Sequence, residues 1–155
     1  MEDTRNVTDK YKGMSQEAIV SDLDAHGSSL EIAIDNVERD FNMGTIVRSA
    51  NAFGVRHIHI IGRKQWNKRG AMMTDTYLHV HYYVSIDEFF NAITGQTLIA
   101  IDNTPTSQPM HAAHLPKNAV LLFGAEGPGV RPELLEKAHI VVAIEQFGST
   151  RSLNV

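Results

Sequence analysis

Two short apolar strands that each run straight into a polar, glycine-rich loop constrain this chain most. The first is Ala119 to Phe123, followed by Gly124-Ala-Glu-Gly-Pro-Gly129. The second is Ile140 to Ile144, followed by Glu145-Gln-Phe-Gly-Ser-Thr-Arg-Ser-Leu-Asn-Val155. Gly124, Gly127 and Gly129 carry no Cβ, so backbone there can turn sharply and approach a ligand closely. Ser149, Thr150, Ser152 and Asn154 add short donors and acceptors beside the second loop. Loops of this kind at the carboxyl ends of parallel strands build small-molecule sites from backbone.

The rest of the chain repeats the alternation of helix and strand. Ser15 to about His26 reads as a helix stopped by Gly27, with Ile19 and Leu23 four apart. Leu30 to Ile34 reads as a strand ending at Asp35-Asn36. Gly44 to Phe53 reads as a helix with Asn42 as its N-cap and Gly54 as its stop. Val55 to Ile61, Leu78 to Val84 and Thr97 to Ile101 read as strands. Ser85-Ile-Asp-Glu88 is a capping box opening a helix whose apolar face is Phe89, Phe90 and Ile93. Pro132 suits the first turn of a helix running to about Ala138. Short apolar strands separated by helices predict a parallel α/β sheet with right-handed crossovers and helices on both faces. The 155 residues fit one domain. Residues 1–14 are polar and read as a loose arm.

Composition narrows the chemistry. The absence of cysteine excludes disulfides, thiolate nucleophiles and Cys-based zinc sites, and fits a reducing cytoplasm. No apolar run approaches the roughly 20 residues of a membrane span. A net charge of −4 advertises no general affinity for nucleic acid, so RNA binding needs a local basic patch. One such patch exists: Arg63, Lys64, Lys68 and Arg69 surround Trp66, which suits phosphate contacts and base stacking, or a solvated loop.

Other segments leave alternatives open. Gly124–Gly129 is neither a dinucleotide fingerprint nor a P-loop, and Pro128 removes a backbone donor. Glu126 either orders that loop or binds a ligand. On a helix starting near Gly44, Asn42, Arg48 and Asn51 could share the lip of a cleft, although an isolated Arg48 is more often a solvated residue. His57/His59 and His79/His81 each place two rings on one side of a strand, but no third ligand lies at a familiar metal spacing, so no metal is expected. No nucleophile elbow is present.

Taken together, three motifs in order resemble the SpoU family of RNA ribose 2′-O-methyltransferases, within the SPOUT superfamily. They are Asn42-Met-Gly-Thr-Ile-Val-Arg-Ser-Ala-Asn-Ala-Phe-Gly54, Phe123-Gly-Ala-Glu-Gly-Pro-Gly129, and Ile144 through Gly148 to Ser152-Leu-Asn-Val155. The resemblance spans residues 30–155, with 1–29 left as an arm and helix. It implies a deep trefoil knot, S-adenosylmethionine bound by the knot loops, a homodimer, and transfer RNA or ribosomal RNA as substrate. By position it places Asn42 and Arg48 at the target ribose, with Glu126 organising the second loop and Asn154 tying the last one. Ile101, Gly124, Ile144, Ser152 and Leu153 would line the cofactor pocket. A guanidinium stays protonated above pH 12, so Arg48 is read as orienting the hydroxyl and a nearby phosphate rather than as a base. The family's Ile-Pro-Met is replaced by Ile144-Glu145-Gln146-Phe147. No small RNA-binding domain precedes the motifs, which leaves RNA to the arm, the Trp66 loop and a second subunit. Family members continue past the third motif into a helix that completes the knot, so the resemblance implies that this helix is missing from the chain as given. A non-catalytic RNA-binding module is the alternative, and it would ignore S-adenosylmethionine.

Overall fold

Buried β-branched runs set the architecture. The computed structural model describes residues 2–37, 42–150 and 153. Among the described residues seven strands form one sheet: β1 (Glu31–Asn36), β2 (His57–Gly62), β3 (His79–Tyr83), β4 (Thr97–Ile101), β5 (Gln108–Pro109), β6 (Ala119–Phe123) and β7 (Ile140–Ala143). Their order is β3-β2-β1-β6-β4-β7-β5, and every pairing is parallel. Among the described residues four α-helices accompany them: α1 (Gln16–His26), α2 (Met43–Ala52), α3 (Ile86–Ala92) and α4 (Pro132–Lys137). Among the described residues no helix is long and apolar enough to cross a membrane.

Each sheet face has its own cover. Met43, Ile46, Val47 and Ala50 recur at helical spacing along α2 and pack on Ile32, Ile34, Ile58 and Ile60. On the other face, Phe89 and Ile93 from the α3 region and Leu134 from α4 pack on Ala33, Ile61, Leu98, Ala100, Val120 and Leu122. Each fully buried side chain of this size contributes roughly 1.5–3 kcal/mol relative to exposure. Strands covered on both sides explain why β4 and β6 read as nearly continuous apolar runs.

Local chemistry ends the elements. α2 stops in a Schellman motif: Gly54 has φ 74°, its N–H donates to the Asn51 carbonyl at 3.1 Å, and the Val55 N–H donates to the Ala50 carbonyl at 3.0 Å. At the other end Asn42 sits in the N-cap position but departs from the expected cap. Its backbone is helical (φ −82°, ψ −17°) and its side chain makes no capping hydrogen bond. The Ser85 capping box is shifted by one residue. Ser85 Oγ accepts from the Glu88 N–H, while Glu88 Oε2 accepts from the N–H of Val84. β7 ends at Ala143, one residue short of the expected strand.

The N-terminal arm differs from the loose segment expected. The Asp3 carboxylate accepts from the N–H groups of Arg5 and Gly13, and Lys12 donates to the carbonyls of Asp3 and Arg5. The Arg5 hydrogen bond, more than any other contact, holds the Asp3 carboxyl well below the usual carboxylate range.

The two histidine pairs merge into one ladder, because β2 and β3 pair His57 with His79 and His59 with His81. His57 and His81 share a hydrogen bond of 3.0 Å. His59 reaches Tyr83 Oη at 2.9 Å and Glu31 Oε2 at 2.6 Å. Burial lowers the pKa values of His57 and His81. Burial opposes ionisation of Glu31, yet hydrogen bonds from His59 and Gln96 outweigh it and lower its pKa. Among the described residues no group of three such side chains is arranged to hold a metal ion.

Candidate functional site

The strand order creates the site. From β1 the chain winds outward through β2 and β3, then returns to the far side of β1 with β4. Crevices form at such reversals, outside the carboxyl ends of the strands. The register puts Ile34, Phe123, Ile101 and Val142 in one row across β1, β6, β4 and β7. The loops that follow these four adjacent strands carry nearly all the expected catalytic and cofactor residues.

The loop after β6 is folded tightly back on itself. The Gly129 N–H donates to the Ala125 carbonyl at 3.0 Å. A Cβ on Gly124 would overlap the carbonyl carbon of Gly129, so only glycine permits this closure. Two carboxylates fasten the loop to its neighbours. Asp102, directly after β4, accepts from the Val130 N–H at 3.0 Å. Asp35 in β1, fully buried, accepts from Nε of Arg131 at 2.9 Å and from its backbone N–H at 3.1 Å, and Nη2 lies 2.8 Å away. A buried carboxylate requires such pairing. Sequence reading missed Asp35, Asp102 and Arg131. The available signal was an aspartate directly after Ile34 and another directly after Ile101, each at the end of an apolar run.

The basic loop is equally anchored. The buried Asn36 side chain donates to the carbonyls of Arg63 at 2.6 Å and Gln65 at 3.3 Å. Further on, Gly44 of α2 meets Gly70 backbone to backbone; a Cβ on Gly44 would lie 2.8 Å from the Gly70 Cα. The glycine in the Asn42-Met-Gly44 motif therefore seats the basic loop on the helix that carries Arg48. Trp66 is half-buried against the α2-side core, and its Nε1 donates to Tyr82 Oη at 3.3 Å. It is an anchor first, with part of its ring left accessible. Lys64 lies over the Tyr82 ring, and Lys68 lies over Trp66 while pairing with Asp75 at 2.9 Å. Arg63, Lys64, Lys68 and Arg69 are exposed.

The remaining expected residues fall as follows. Arg48 is exposed on α2, on a stripe with Thr45, Ser49 and Ala52, and Asn42 stands roughly 9 Å before it along the helix. Glu126 is exposed in the loop after β6, whose strand neighbours β1. Ile101 ends β4, Gly124 follows β6, and Ile144 follows β7. Leu153 is exposed; Ser152 and Asn154 lie outside the described residues. The structure thus brings Ile101, Gly124 and Ile144 to neighbouring strand ends and fixes the basic loop on α2.

The strand-end loops suit a ligand that is partly apolar and partly hydrogen-bonding. Nothing stands within 4 Å of where a Cβ would lie on Gly127 or Gly148, so both loops offer bare backbone to open space. Ile144 and Leu153 are about half exposed and Phe147 is 92% exposed, all within one short segment. Large apolar side chains left open beside bare backbone match a heteroaromatic ring with polar substituents, which is the character of S-adenosylmethionine.

Comparisons with known proteins agree with this geometry. A curated tRNA (guanosine(18)-2′-O)-methyltransferase from Aquifex aeolicus is 28% identical over 144 residues, covering 86% of this chain and 66% of the relative. The chain thus spans about two thirds of that relative's length. The crystal structure of the A. aeolicus TrmH/SpoU tRNA modifying enzyme shares the fold, with a TM-score of 0.77 at 24% identity over 90% of this chain and 74% of that one. An AdoMet-bound rRNA methyltransferase from Sinorhizobium meliloti superimposes with a TM-score of 0.70 at 26% identity, over 81% of this chain and 50% of that one. The model of the SpoU rRNA Methylase family matches residues 29–155. The chain therefore belongs to the SpoU rRNA Methylase family.

Proposed function

We propose that this chain transfers a methyl group from S-adenosylmethionine to a ribose 2′-hydroxyl of RNA, and that the RNA is a tRNA, as the name of the curated Aquifex aeolicus relative indicates for that protein. The observation that carries the reading is the convergence of Ile101, Gly124 and Ile144 on adjacent strand ends, beside the helix of Arg48 and the basic loop. Residues 30–155 form the methyltransferase domain, with 1–29 as an arm and helix.

The cofactor supplies an electrophilic methyl on a sulfonium; the chain supplies binding and alignment. Ile101, Gly124, Ile144, Ser152 and Leu153 line its pocket through backbone and apolar contact. Asn42 and Arg48 hold the target ribose, and Arg48 presents its planar fork to the hydroxyl and to an adjacent phosphate, which takes up the hydroxyl proton. Glu126 and Asn154 order the two loops around them. Arg63, Lys64, Trp66, Lys68 and Arg69 grip the RNA backbone beside α2. Positioning of this kind lowers the barrier by fixing the attack geometry. Family membership supports a trefoil knot in the strand-end loops, a homodimer and a cytoplasmic setting.

The test is to incubate the protein with labelled S-adenosylmethionine and unmodified tRNA, digest to nucleosides and identify the product. A 2′-O-methylnucleoside is expected, falling about a hundredfold in Arg48→Ala. Arg48→Lys with near-normal turnover would contradict the orienting role, because lysine lacks the fork. A chain that binds RNA but not the cofactor would instead be a binding module.

A further inference from the structure

The turn that follows the basic loop holds a feature the proposed function does not use. Met72 and Met73 are consecutive non-glycine residues with left-handed backbones, φ 50° and 63°. L side chains are disfavoured there and persist only where their surroundings dictate it. The surroundings do so here. The Met72 N–H donates to the Arg69 carbonyl at 3.3 Å, Thr74 Oγ1 to the Ala71 carbonyl at 2.6 Å, and Thr76 Oγ1 to the Met73 carbonyl at 2.8 Å. Ala71 is fully buried, and its backbone lies against Gly44 of α2. Yet this strained, clamped turn leaves both methionines open to solvent: Met72 is 50% and Met73 73% exposed. Buried Ala71 and Thr74 flank the pair and fix its backbone, which holds the two methionines out between them.

Charge narrows what that exposed pair meets. Residues 63–75 carry four cations and a single carboxylate, Asp75, in a chain whose net charge is −4. An apolar protein partner would have to desolvate those cations, whereas a polyanion would not. We propose that Met72–Met73 is an apolar wedge that contacts a base of the bound RNA while Arg63, Lys64, Lys68 and Arg69 hold the phosphates. A flexible, polarisable thioether packs well against aromatic rings, and apolar wedges between cationic contacts are a recurrent way to engage unstacked bases. This rests on the RNA reading above, and it makes the wedge a positioning element for the substrate.

The test uses two double variants of the full chain. Met72→Asn with Met73→Asn removes the apolar surface with a residue that tolerates the left-handed region. Met72→Leu with Met73→Leu retains that surface. Against unmodified tRNA transcripts, the Asn pair is expected to weaken binding and raise KM about tenfold, with kcat near wild type. Its S-adenosylmethionine affinity and unfolding temperature should hold. Its salt dependence of RNA binding should stay at the wild-type slope, since the cations remain. The Leu pair should stay within about twofold of wild type. Wild-type RNA affinity in the Asn pair would overturn the wedge. So would a change in sedimentation with unchanged RNA affinity, which would make the turn a protein interface. RNA binding through the wedge without any methyl transfer would sink the enzymatic reading and leave the wedge standing.

Discussion

The two loops at the carboxyl edge of the sheet are built by opposite means. The loop after β6 is closed by its own backbone and fastened by Asp35, Asp102 and Arg131. The segment after β7 presents Ile144, Phe147 and Leu153 to solvent. One is shaped before any ligand arrives; the other has apolar surface still to bury. A pre-formed wall contributes to affinity because no ordering cost is incurred on binding, and an open wall lets the ligand enter and leave.

Breaking the pre-formed loop should have the larger effect. Gly124→Ala places a methyl group on the Gly129–Val130 backbone, which cannot move aside as a flexible side chain would. A loss of about 3 kcal/mol and of cofactor binding is expected, readable as a fall of roughly 10 °C in unfolding temperature. Arg131→Ala comes next. It strips the side-chain partner from the fully buried Asp35 carboxylate while leaving the backbone donor, for about 2 kcal/mol after allowance for the partly exposed guanidinium. Phe147→Ser should leave stability within about 0.5 kcal/mol. It should weaken S-adenosylmethionine severalfold in a calorimetric titration. A large stability loss in Phe147→Ser would erase the distinction between the loops.

Much of the frame was legible beforehand, for a physical reason. β4 and β6 match their expected limits from end to end, because strands buried on both faces must be apolar throughout. What escaped was long-range. Asp35 meets Arg131 across 96 residues, and nothing local distinguishes that aspartate from an ordinary strand-ending one. Asn36 likewise looks like a turn residue until the fold sets it beneath Arg63 and Gln65. Polarity suggests looseness in the N-terminal arm, yet Asp3 shows that a polar segment holds itself through hydrogen bonds and an ion pair with Arg5. Asn42 has the right residue type for a cap but a helical backbone, so composition pointed to the wrong local geometry. The three motifs follow β1, β6 and β7 in the sequence, so the parallel register brings their starting points to one edge of the sheet.

Hydrogen exchange with and without S-adenosylmethionine tests the central claim most directly. The predicted result is that residues 125–130 are protected in the free protein and change little. Residues 144–150 should exchange quickly and slow on adding the cofactor. Cofactor that leaves both segments unchanged, or protects a different edge of the sheet, would contradict a site at these strand ends.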